Sequence, residues 1–113
     1  MRPEDREPFR HQDLFGGHGE VRVWDLLGKA ALPPFEAVLA CELEAGGSVG
    51  AHRQATADEI VVIVAGEGRA TVDGVEQPLA PGSAVTLALG QLLTLENGSA
   101  DEPLSYLIVK ARR

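Results

Sequence analysis

The chain has 113 residues, enough for one domain around one core. Hydrophobic residues make up 44% and the net charge is −7, which excludes a disordered chain and argues against nucleic acid as a partner, because an acidic surface repels phosphate. The single cysteine, Cys41, rules out an intrachain disulfide and a cysteine-rich zinc site.

The charged stretch from Met1 to Gly19, with Pro3, Pro8 and the turn-like Gly16-Gly17-His18-Gly19, reads as an N-terminal arm with a short strand near Phe9. It carries no signal-peptide core, and no later apolar run reaches the roughly 18–20 residues of a membrane helix, so no membrane partner and a cytoplasmic location are expected. Residues 20–113 then read as one barrel. Val21 to Leu26 alternates as a strand. Pro33-Pro34 breaks the chain, and Phe35 to Leu43 follows as a half-buried strand with Cys41 on its apolar face. Gly46 to Gly50 reads as a loop and His52 to Gln54 as a short strand. Asp58 to Ala65 is a strong strand with Glu59, Val61 and Ile63 on one face and Ile60, Val62 and Val64 on the other. Such a strand is covered on both sides.

Arg69 to Val72, Asp73-Gly74 and Val75 to Leu79 make a hairpin with a favoured two-residue turn. Val85 to Leu89, Leu92 to Leu95 and Leu104 to Ala111 are further strands, and Lys110-Ala111-Arg112-Arg113 reads as a solvated tail. Short strands with frequent glycine turns and no helical period predict an all-β sandwich or barrel.

Two spaced patterns carry a family resemblance. The first is Gly46, five residues, His52, one residue, Gln54, four residues, Glu59, six residues, Gly66. The second is Gly82, five residues, Ala88, one residue, Gly90, two residues, Leu93, three residues, Asn97. In these spacings and this order the chain resembles the cupins. The resemblance implies a double-stranded β-helix, or jelly-roll, barrel. In metal-binding cupins three histidines and a glutamate from the motif positions hold a divalent metal. Here those positions carry His52, Gln54, Glu59 and Leu93, with Ala88 replacing the second motif's proline. Imidazole and carboxylate suit iron, zinc or manganese, but an amide is a weak ligand and leucine none. The expectation is therefore a metal-free pocket. Any metal would fall to His52, Glu59 and Gln54.

The resemblance places His52, Gln54 and Glu59 inside the barrel with Leu39, Cys41, Val61, Ile63, Leu93 and Leu95 as company. Cys41 either presents its sulfur to the pocket or packs as a small hydrophobe. Tyr106, alternating with Leu104 and Ile108, either lines the pocket or packs in the core. His11 and His18 in the arm read as exposed and uninvolved. Three functions stay open. One is metal-independent binding of a small molecule in a pocket of Cys41, His52, Gln54, Glu59, Leu93 and Tyr106. The second is an enzyme, either an isomerase, cyclase or lyase with His52 and Glu59 as acid and base, or a dioxygenase-like protein with a reduced metal site. The third is a structural dimer without pocket chemistry. A homodimer is expected, with Ile60, Val62 and Val64 covered by a partner and the arm crossing to it or folding back.

Overall fold

Alternating apolar residues between glycine turns give strands throughout. The computed structural model describes residues 3, 6–30 and 32–113, so Met1, Arg2, Glu4 and Asp5 of the expected arm lie outside the described residues. The strands are β1 (Phe9–Gln12), β2 (Glu20–Asp25), β3 (Phe35–Leu43), β4 (Ser48–Arg53), β5 (Asp58–Ala65), β6 (Gly68–Val72), β7 (Val75–Leu79), β8 (Ala84–Leu87), β9 (Leu92–Asn97) and β10 (Leu104–Ala111). Among the described residues the one helical element is a 3₁₀ turn, Leu14–Gly16.

Two antiparallel sheets face each other as a jelly-roll barrel. The larger runs β1-β2-β3-β10-β5-β8 and the smaller β4-β9-β6-β7. The core between them holds Val21, Leu43, Val61, Ile63, Leu87, Leu95 and Leu104. The hairpin of β6 and β7 turns at Asp73-Gly74, both at positive φ, as a two-residue turn that follows strand twist requires.

Several strand limits differ from the sequence reading by a residue or more, and at β4 and β8 the cause is visible. β4 begins at Ser48, inside the stretch read as a glycine loop, because its backbone pairs with β9 from Ser48 onward. β8 ends at Leu87, where the Leu89 N–H turns aside to the Asp58 carboxylate. The arm does more than trail. Its β1 pairs with the chain's own β2, the Trp24 Nε1–H donates to the Arg6 carbonyl, and the 3₁₀ turn brings Phe15 onto β4.

The asparagine that closes the second motif has a structural task. Asn97 is buried, and its Nδ2 donates to the carbonyls of Leu43, Glu44 and Glu102 while its Oδ1 accepts from the Ser99 N–H. It therefore ties the end of β3 to the loop before β10.

Candidate functional site

The site starts from a defect in β4. Val49 lies opposite Leu95 and His52 opposite Leu93, so three steps on β4 match two on β9. Strict alternation would send Val49 and His52 to opposite faces. The bulge at Gly50-Ala51 lets both face inward, the usual effect of an extra residue. Gly50 is also where the 3₁₀ turn docks, since a Cβ there would collide with the Phe15 carbonyl. The Phe15 ring then stacks on His52, with centroids 4.3 Å apart and planes 14° from parallel.

Beyond β4 the chain leaves the sheet but stays tied to it. The Gln54 N–H donates to the Gln91 carbonyl, and the Gln54 carbonyl accepts from the Gly90 N–H. This turns the Gln54 side chain in, where Nε2 lies 3.1 Å from His52 Nε2. An amide NH₂ only donates, so in the neutral ring Nε2 accepts and the proton sits on Nδ1. Glu59, on β5, is 3% exposed. Directly across from it on β10 stands Lys110, whose Nζ is 3.7 Å from Glu59 Oε1.

These groups share one cavity of about 590 Å³. Cys41, His52, Gln54, Glu59, Leu93 and Tyr106 all line it, with apolar walls from Leu14, Val21, Val23, Leu39, Val49, Leu95 and Ile108. Val61 and Ile63, expected at the pocket, are buried in the core and do not line the cavity. His11, expected to be uninvolved, also lines the cavity, because pairing of β1 with β2 sets it opposite Val21. His18 does not; its backbone pairs with Ser48.

Phe15, Arg53 and Lys110 were missed from sequence, and Lys110 is the one that faces Glu59. The tail reading of Lys110 fails because the residue is paired within β10, opposite Glu59 on β5. The signal was present: Tyr106, Ile108 and Lys110 alternate, and a strand that points the first two inward points the third inward as well. Arg112 and Arg113 are not a loose tail either, pairing with Glu36 and Asp58.

Burial dominates the electrostatics. It lowers the His52 pKa, with the Lys110 charge adding to the effect, so desolvation outweighs any pull from Glu59. It raises that of Glu59, against the Lys110 charge and the Gln54 amide. The Cys41 thiol is pushed up to about 12 by burial and then by Glu59, which makes it an unreactive hydrophobe in the wall. Burial likewise holds the Tyr106 phenol well above its ordinary value. Among the described residues two buried side-chain polar atoms lack a hydrogen-bond partner, His52 Nδ1 and Glu59 Oε2. Both belong to this cluster.

The sequence profile of the Cupin domain family matches residues 39–110. The chain belongs to the cupin family. A cupin-type relative, the oxalate-binding protein of Thermotoga maritima, is 32% identical over 111 residues, covering 96% of this chain and 90% of that protein. A Thermotoga maritima crystal structure described as a predicted oxalate decarboxylase superposes with a TM-score of 0.91 at 29% identity, over 100% of this chain and 98% of that one. A Cupin 2 conserved barrel domain protein from Salinispora arenicola shares the fold, with a TM-score of 0.76 at 23% identity, over 98% and 87% of the two chains.

The metal that the cupin resemblance implies does not suit these residues. Among the described residues no group of three or more His, Cys, Asp or Glu side chains is arranged to hold an ion. The donor chemistry gives the reason. His52 Nε2 is engaged by the Gln54 amide, Leu93 stands opposite His52, and Glu59 already faces an ammonium. At the four motif positions two strong ligands, His52 and Glu59, remain of the three that a catalytic site needs.

Proposed function

We propose that this cupin binds a small molecule in its barrel without a metal, using His52, Gln54 and Glu59 as the polar floor of an otherwise apolar pocket. The observation that carries the reading is the cavity itself. Its volume of about 590 Å³ falls in the range of small-molecule sites, roughly 300–1,000 Å³, and apolar walls around a few polar groups are their usual composition. Two unpartnered buried polar atoms in that floor favour a ligand over a closed structural core, because such atoms cost free energy until something bonds them. The oxalate-binding relative supports a small molecule as the ligand.

The test is mass spectrometry of organic molecules released from purified protein, together with titration of the same molecules back onto metal-stripped protein. Binding that survives removal of metal, and is lost when Leu93→Trp fills the cavity, is the expected result. Binding that returns only with added iron, zinc or manganese would overturn the metal-free reading.

The outer face of the larger sheet supports a homodimer. Ile60 pairs across to Val109, Val62 to Leu107 and Val109 to Val38, so these side chains form one apolar stripe. Ile60 is 45% exposed. A second copy placed on this stripe gives the two-fold pairing commonest among oligomers.

A further inference from the structure

Lys110 changes what the cavity is able to hold. The chain is poor in cations here: between Ala37 and Val109 only Arg53 and Arg69 occur. Arg53 and Lys110 both line the cavity, whereas Arg10, Arg22, Arg69, Arg112 and Arg113 are paired with carboxylates elsewhere. Lys110 is held in place by the register of β10 on β5, which sets it opposite Glu59. At 3.7 Å the pair is an ion pair longer than a hydrogen bond. An ammonium has three N–H donors, and the Lys110 side chain keeps 34% of its surface open, so donors remain for a ligand. Beside it the Glu59 side chain is 1% exposed, and its Oε2 has no partner. That oxygen is an acceptor waiting for a donor.

We infer that the cavity takes a monocarboxylate with an apolar body and a hydrogen-bond donor next to the carboxylate, the carboxylate seated on Lys110 and the donor on Glu59 Oε2. The inference rests on the pocket being a metal-free binding site. Lys110 supplies positive charge that it shares with Glu59. A cation matters here because a carboxylate moved from water into an apolar cavity is costly unless paired. A dicarboxylate as small as oxalate fits worse on two counts. It is far too small to fill about 590 Å³, and its second charge would meet either apolar wall or the Glu59 carboxylate. Arg53 adds positive charge at the exposed rim, where one of its five N–H donors goes to the Gly90 carbonyl at 2.6 Å. The body of the ligand lies against Val23, Leu39, Leu95 and Ile108.

The experiment is calorimetric and methyl-NMR titration of metal-stripped protein at neutral pH with four probes: 2-hydroxyhexanoate, hexanoate, 1-hexanol and oxalate. The expected order is 2-hydroxyhexanoate tightest, with 1-hexanol and oxalate weaker by about tenfold or more, the scale of one charge-assisted hydrogen bond. Lys110→Met should remove that advantage and leave 1-hexanol unchanged, and Lys110→Arg should retain most of it. If Lys110→Met misfolds, the double variant Glu59→Gln/Lys110→Met removes both charges together, and hexanoate against 1-hexanol, neither of which carries a donor beside a carboxylate, makes the comparison. Equal affinity for hexanoate and 2-hydroxyhexanoate would overturn the role of Glu59. An acid no tighter than 1-hexanol, or one unaffected by Lys110→Met, would overturn the anchor while leaving the pocket intact. Oxalate binding that requires manganese would overturn both the anchor and the metal-free reading. Failure of all four probes would overturn the pocket as a binding site.

Discussion

His52 shows how burial and one nearby charge set a side chain's chemistry. Its pKa is lowered first by burial and then by Lys110. An NMR titration of the ring should therefore give a midpoint below the ordinary 6.5. In Lys110→Met it should move part of the way back, because the burial remains. The sign for stability follows. The unfolded chain takes up this proton at a higher pH than the folded one, so the His52 contribution is constant above the unfolded value. It is lost as pH falls from there through the folded value. Asn97 is a second single residue with a large share in the structure. Asn97→Ala would remove the amide donor from the carbonyls of Leu43, Glu44 and Glu102, of which Glu44 keeps the Gly47 N–H. We expect a loss of about 2–3 kcal/mol in urea unfolding, the cost of stranding buried polar groups, with little change in the denaturant slope.

At the scale of elements, the 3₁₀ turn and β4 act as a unit. Phe15 has a left-handed backbone, φ 53, an uncommon state for an aromatic residue. It is held by the close fit of its carbonyl over Gly50 and by its ring on His52. Gly50→Ala should push the turn off β4 and cost about 1–3 kcal/mol, the range for overpacked contacts. The His52 ring protons should lose the upfield shift that Phe15 imposes. A variant with the shift intact would show that the turn is held by something else. None of this was legible in the sequence, since a fit between two backbones leaves no periodic trace. The strands themselves were legible: Phe35–Leu43, Asp58–Ala65 and Leu104–Ala111 emerge with the limits that alternation predicts. The spaced motif positions also placed His52, Gln54, Glu59 and Leu93 around one cavity, whereas alternation alone left Cys41 and Tyr106 between pocket and core, and both line the cavity. Lys110 was lost because a basic residue near a chain end resembles tail, and composition outweighed the alternation that placed it inside.

For the whole molecule, the apolar stripe of Val38, Ile60, Val62, Leu107 and Val109 carries the proposed dimer. Sedimentation at micromolar concentration should give a dimer, and Ile60→Lys should give a folded monomer. A wild-type monomer would refute the pairing, and the stripe would then be a face that the barrel leaves in water. The architecture also has a consequence for synthesis. β10 lies between β3 and β5, so the strands made earliest, β1 to β3, reach β5 and β8 only through it. On the ribosome, at about 5–20 residues per second, the larger sheet stays in two unjoined halves until residues 104–111 emerge. Lys110 arrives with the same strand. A nascent chain stalled before Leu104 should therefore remain open to protease and hold no ligand. The barrel closes and the pocket gains its charge in one late event.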